Sequence, residues 1–77
     1  KSPNDCAYYN TRSEISISDK TWEEVYIWAQ KALQINSKSA RANMLMAIGV
    51  KRTNRGEALS AEYEKKAKQL EAEGVLD

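Results

Sequence analysis

The chain has 77 residues, a formal net charge of +1 and 30% charged side chains. This length allows one small domain, near the lower limit of what folds unaided. A charge so close to zero favours neither nucleic acid nor an anionic membrane as a partner. No apolar run approaches the roughly 20 residues that span a bilayer. We therefore expect one globular domain that does not bind nucleic acid or insert into a membrane.

Side chains suited to catalysis are scarce. Histidine is absent and Cys6 is the single cysteine, so His-based triads, an intrachain disulfide and a thiolate zinc site are all excluded. The glycines at 49, 56 and 74 are too far apart to form a phosphate-binding loop. We expect no catalytic, cofactor-binding or metal-binding residues and predict that the protein is not an enzyme; a catalytic part would have to lie outside these residues.

The first third of the chain carries two conflicting patterns. It opens on Lys1-Ser2-Pro3 without a methionine, so we expect a piece of a longer or processed protein. Ala7, Tyr8 and Tyr9 suit a helix, whereas the segment EISIS at 14–18 alternates as a strand does. We predict a helix over about 5–16, because the repeat described below requires one there.

The pattern of residues 22–35 predicts a second helix. Thr21 and Glu24 have the spacing of a capping box at its start. Asn36 can end it, since Asn tolerates left-handed backbone angles. The apolar stripe comprises Trp22, Val25, Ala29, Ala32 and Leu33, widened by Trp28 and Ile35, and both tryptophans are interpreted as packing residues.

A third helix is predicted over 40–53, after a turn at 37–39 that offers Ser as an N-cap. Its centre, MLMAI at 44–48, is apolar on every side, which is typical of a helix buried by several neighbours. Glycine inside a helix costs about 1 kcal/mol relative to alanine. Gly49 therefore indicates a close approach of another helix.

A fourth helix is predicted over 57–73, with Asn54 and Glu57 capping its start and Gly74 ending it. The turn before it, at 53–56, contains Asn and Gly. The predicted apolar stripe comprises Leu59, Tyr63, Ala67 and Leu70.

The chain contains a near-copy of itself. The segment KALQI at 31–35 recurs as KAKQL at 66–70, and the aromatic residues Trp28 and Tyr63 are separated by the same shift. A period in the thirties is typical of solenoid repeats. The segment at 22–36 resembles the second helix of the tetratricopeptide repeat, and 37–42 resembles its turn into the next unit. Pro3 stands one period of that repeat before Ser37, where the family usually has proline.

The resemblance covers most of the chain as two units, at 6–39 and 40–73, within a single domain at 1–77. It implies an all-α fold of about four antiparallel helices that form a short, right-handed α-solenoid segment. In such arrays the first helix of each unit lines a concave groove that holds a peptide or a partner helix. The positions that would face this groove are Ala7, Asn10 and Glu14, followed by Arg41, Met44, Ile48 and Lys51.

The resemblance thus implies a non-catalytic binding or scaffolding module whose partner is a protein or peptide. Its candidate partner-binding residues are Asn10, Arg41, Met44, Ile48 and Lys51. Two interpretations of these positions remain open. Met44 and Ile48 could equally be core residues, and the cations at 51, 52 and 55 could simply complement a helix dipole.

The alternative function is structural. Two repeats bury little surface, so the alternative is a packing or oligomerisation element without a ligand, in a larger protein or a homo-oligomer. The apolar residues near the C-terminus would then face a neighbouring domain or subunit: Leu59, Ala61, Leu70, Val75 and Leu76.

Overall fold

The computed structural model describes residues 6–74, and within that range it contains four α-helices and no strand. They are α1 (Cys6–Ser18), α2 (Trp22–Ile35), α3 (Ala40–Arg52) and α4 (Glu57–Ala72). The prediction of an all-α fold with four helices is confirmed. Pro3, Val75 and Leu76, which figured in the sequence analysis, lie outside the described residues.

The helix α1 continues through the segment for which a strand was the alternative. It ends at Ser18, so the strand pattern at 14–18 was misleading. The reason is that polar residues are the buried ones: Ser13 and Ser16 are buried, while Ile15 is exposed. Each serine satisfies its hydroxyl, Ser13 by donating to the Val25 carbonyl (3.0 Å) and Ser16 by donating to the Arg12 carbonyl (3.1 Å).

The helix α2 begins and ends where predicted, between Thr21 and Asn36, but the interactions at both ends differ from the prediction. The Thr21 side chain does not cap α2; its hydroxyl donates to the Ser16 carbonyl at 3.2 Å and so ties the turn back to α1. Asn36 has an extended backbone rather than a left-handed one, and its side-chain oxygen accepts the Lys38 N–H at 3.1 Å. The predicted Ser cap of α3 is confirmed, because Ser39 Oγ accepts the N–H of the residue at 42.

The start of α4 also differs from the prediction. Gly56, with φ of 122°, is the N-cap, so Asn54 and Glu57 form no cap. Leu59, predicted to lie on the apolar stripe, is exposed, and Ser60 is buried in its place. The predicted glycine at the C-terminal end is confirmed by the left-handed backbone of Gly74 (φ 86°).

The helix α3 lies at the centre and packs against α1, α2 and α4, as its uniformly apolar centre predicted. Gly49 permits the closest approach: a Cβ there would lie 2.8 Å from the Tyr26 Cα, on the backbone of α2. The short turns between successive helices make neighbours run antiparallel. The buried α3 residues are Ala40, Ala42, Asn43, Leu45, Met46, Ala47, Gly49 and Val50.

Each pair of helices is linked by one buried serine. In the first pair Ser13 of α1 donates to the Val25 carbonyl of α2. In the second pair Ser60 of α4 donates to the Ala47 carbonyl of α3 at 2.8 Å. Ser13 and Ala47 are equivalent positions in the units at 6–39 and 40–73. Val25 and Ser60 are also equivalent, because they are separated by the same shift as KALQI and KAKQL. The two halves therefore make the same link between equivalent positions, with donor and acceptor exchanged, which is a repeat-like arrangement.

Candidate functional site

A shallow groove with a volume of about 460 Å³ lies between α1 and α3, and we call it the α1/α3 groove. The helix α1 contributes two of its lining side chains and α3 contributes five, while one residue of α4 reaches its edge. The lining residues are Glu14 and Ile17, then Ala40, Arg41, Met44, Leu45 and Ile48, and finally Glu71.

The middle of the groove is apolar. Met44 and Ile48 are half-buried and lie one helical turn apart on α3, so they share a face. Ile17 of α1 is also half-buried, and Leu45 beneath them is buried. Met44 and Ile48 are thus neither core nor fully exposed: one side of each packs inward and the other borders the groove.

One end of the groove carries a bidentate ion pair between Glu14 and Arg41. The Nε and Nη2 atoms of Arg41 donate to the two carboxylate oxygens of Glu14 at 2.8 and 2.6 Å. These hydrogen bonds hold the pKa of Glu14 below its usual range, against a smaller opposing effect of partial burial. The pair links α1 to α3 across the groove and fixes the Arg41 guanidinium in place.

The depressed pKa of Glu14 predicts a pH dependence. The pair stabilises the fold fully above the unfolded-state pKa of Glu14, and this contribution is lost as the pH falls through the lower, folded-state pKa. The pair is partly exposed, so the loss is expected to be at most about 1 kcal/mol. The measurement is a carbon-13 NMR titration of the Glu14 carboxyl, which should shift to higher pH in Arg41→Gln.

The matched control for this titration is Arg55→Gln. Arg55 donates instead to Glu23 Oε1 at 2.8 Å, so its removal should leave the Glu14 titration unchanged. An Arg41→Gln variant in which Glu14 titrates at the wild-type pH would contradict the ion pair.

A cationic concavity adjoins the other end of the groove. It shares Ile17 and Ile48 with the groove and adds Lys51, Trp22 and Arg52. The Arg52 guanidinium lies 4.8 Å from the centre of the Trp22 ring, as a cation–π pair. Among residues 6–74, none of the salt bridges involves Lys51.

The third cation of the predicted patch, Arg55, lies on a different surface. Its guanidinium is 4.0 Å from the Tyr26 ring centre, besides its bond to Glu23. Arg52 and Arg55 thus hold the end of α3 and the following turn against α2. Lys51 makes no such contact with α2; it lies beside the groove and also borders concavities that it shares with Glu57 and Glu64 of α4.

Asn10 does not border the groove, contrary to the expectation from the sequence. It is fully buried, and its amide Nδ2 lies 3.5 Å from Ser39 Oγ and 3.7 Å from Cys6 Sγ. Glu14 is exposed on this face of α1, but one turn earlier the face is covered at Asn10 by the turn between α2 and α3 that contains Ser39. Ala7, one turn earlier, does not line the groove either.

The groove residues that were not predicted from the sequence are Ile17, Ala40, Leu45 and Glu71, and Ile17 is the one of these on α1. It lies three positions after Glu14, hence on the same face of α1, and its place in the first unit is that of Lys51 in the second. Extending the groove-facing series of α1 by one step would have found it. The competing strand pattern at 14–18 obscured that step.

The aromatic residues on the far side of α1 and α2 pack against one another. Tyr9 stacks on Trp28 with ring centres 5.6 Å apart. Arg12 and Lys31 lie 5.1 and 5.9 Å from the Trp28 ring centre. This ring is enclosed by its neighbours, which confirms the interpretation of Trp28 as a packing residue.

No cluster of three or more side chains suited to metal binding occurs among residues 6–74. Within the same range, no helix is both long and apolar enough to cross a bilayer.

Comparisons with known proteins give no match to any family model, curated protein or solved structure. The internal repeat, the packing order of the helices and the groove are thus the features of this chain that bear on its function.

Proposed function

We propose that the chain is a tetratricopeptide-like module without catalytic activity that binds a peptide or a helix of another protein in its α1/α3 groove. The observation that carries the proposal is the apolar strip formed by Ile17, Met44 and Ile48. It is the open side of a central helix that is otherwise covered by its neighbours. Concave apolar sites with a few polar groups at their ends are typical binding sites.

The groove suits recognition because it exists before a partner arrives. Its walls belong to two helices joined by the Glu14–Arg41 pair, so little ordering is needed on binding. Covering Met44 and Ile48 would remove apolar surface from water, which supplies affinity. The ion pair at one end and Lys51 at the other would restrict which partners fit.

The test is to select peptides from a random display library on the intact chain and then to measure their affinity for two variants. Ile48→Ala removes part of the apolar strip and should weaken binding by about 10-fold, from the apolar area that a partner no longer covers. Ile27→Ala is the matched control, because Ile27 lies on α2, is 43% exposed and does not line the groove. Equal effects of the two substitutions would show that the groove is not the binding surface.

The alternative function, a packing element of a larger assembly, is favoured by a different observation. Tyr8 and Ile15 are exposed and lie on one face of α1. Of the α4 residues that first suggested this function, Leu59 and Ala61 are exposed and fit it, whereas Leu70 is buried and does not. Sedimentation of the chain at tens of micromolar decides: a dimer that Ile15→Ser dissociates supports packing, and a folded monomer contradicts it.

A further inference from the structure

We infer that the partner binds the α1/α3 groove as an amphipathic helix rather than as an extended segment, with a carboxylate side chain next to Lys51. This inference rests on the proposed function and adds the conformation and the charge of the partner. Three features of the groove carry it: its lack of hydrogen-bonding groups in the middle, its length and the difference between its two ends.

The middle of the groove offers nothing to the backbone of an extended peptide. Ile17, Met44, Leu45 and Ile48 have no conventional donor or acceptor, and the main chain of α1 and α3 is bonded within each helix. An extended segment would bury N–H and C=O groups without partners, which is unfavourable. A helix satisfies these groups internally.

The side-chain amides that could have bound an extended backbone are buried inside the fold, and it is their Nδ2 groups that have partners there. Asn10 and Asn43 are both fully buried. Nδ2 of Asn10 faces Ser39 Oγ, and Nδ2 of Asn43 donates to the Ser39 carbonyl at 2.7 Å. Neither side chain reaches the groove, so a helix remains the ligand whose backbone is compatible with this surface.

The length of the groove sets the register of the helix. Arg41 and Lys51 are ten positions apart on α3, which corresponds to about 15 Å or nearly three turns. Met44 and Ile48 lie between them, one turn apart. They are spaced to receive apolar side chains at positions i and i+4 of a partner helix.

The charges at the two ends differ. In the groove itself Glu14 and Arg41 neutralise each other in a bidentate pair, and Glu71 of α4 adds one further carboxylate to the lining. At the other end Arg52 stacks on Trp22, and Lys51 has no salt bridge among the described residues. A carboxylate of the partner therefore finds its complement at Lys51, where a charge at the rim chiefly sets register and association rate.

The first experiment compares two fluorescent probes on the intact chain by anisotropy. One probe is a stapled helix of about four turns with Leu at i and i+4 and Glu one turn beyond. The other has the same apolar and acidic residues but contains prolines that keep it extended. We expect the helical probe to bind at least about 10-fold more tightly.

The outcomes separate this inference from the proposed function. If the extended probe binds more tightly and is sensitive to Ile48→Ala, the inference fails and the proposed function stands. If neither probe binds, the inference also fails. The proposed function fails separately, when peptides selected on the chain do not respond to Ile48→Ala.

The second experiment tests the carboxylate by charge exchange. Lys51→Glu should weaken the Glu-bearing helical probe by about 3- to 10-fold, and a probe with Lys in place of that Glu should bind this variant more tightly than it binds the wild type. The control is Lys66→Glu, which makes the same charge change at an exposed position on α4. Equal losses in the two variants, or no recovery with the exchanged probe, would overturn the assignment of Lys51.

Discussion

Replacing Leu45 with Ala is expected to lower the free energy of unfolding by about 2–5 kcal/mol, the usual range for truncating a buried leucine. Leu45 is 4% exposed and belongs to the main core cluster, together with Ala29, Met46 and Val50. It lies on the central helix, so the cavity would open where α3 meets its neighbours. Urea unfolding followed by circular dichroism measures the loss.

The matched control for Leu45→Ala is Leu59→Ala. Leu59 was predicted from its spacing to lie on the apolar stripe of α4 but is 39% exposed. Its truncation should therefore cost less than about 1 kcal/mol, as for most surface positions. Equal losses at the two leucines would mean that α4 packs through a different face from the one described.

The second large effect is expected for Gly49→Ala. An alanine Cβ would lie 2.8 Å from the Tyr26 Cα and 2.9 Å from its backbone nitrogen. A backbone cannot move aside as a side chain can, so α2 and α3 must separate, at a cost of about 1–3 kcal/mol. Chemical unfolding of the variant measures this cost.

The direction of the Gly49→Ala effect is itself diagnostic. Alanine is a better helix former than glycine by about 1 kcal/mol, so Gly49→Ala would stabilise the fold if α2 were distant. The variant Ala61→Gly, at an exposed position on α4, measures the propensity effect alone in this chain. A Gly49→Ala variant that is as stable as the wild type or more stable would contradict the close approach.

The helices were predictable because their signals are local or periodic. The 3.6-residue periodicity of residues 22–35 predicted the observed bounds of α2. The unbroken apolar centre of α3 predicted its central place, and Gly49 predicted a close neighbour. In each case the information lies within one helix, because the apolar pattern marks the buried face whichever element packs against it.

The side-chain hydrogen bonds at the helix ends were harder to predict, because a short polar side chain can reach several different partners. Thr21 can accept an N–H of its own helix or donate to a carbonyl of the preceding one, and it donates to Ser16. Ser60 is buried in place of Leu59 because its hydroxyl reaches the Ala47 carbonyl. Such choices depend on distances between helices, which a pattern along one helix does not contain.

The candidate site was predicted in part. Arg41, Met44 and Ile48 line the groove, and Lys51 lies at its cationic end. The sequence did not reveal that Asn10 lies outside the groove. Its burial arises from contact with Ser39, in a turn that is distant along the chain. The groove position of Ile17 was not predicted, because the polar and apolar residues at 14–18 alternate as in a strand. This segment is nevertheless helical, with its serine at 16 facing inward.

The most direct test of the central claim uses the two methionines of the chain, Met44 and Met46. Met44 borders the groove, whereas Met46 is 3% exposed in the core. When both methionine methyl groups carry carbon-13, one NMR spectrum shows the Met44 signal, which reports on the groove, and the Met46 signal, which serves as an internal control. When a peptide selected on the chain is added, we predict that the Met44 methyl signal shifts while that of Met46 stays in place. A shift at Met46 alone, or saturation with no change at Met44, would contradict recognition through the α1/α3 groove.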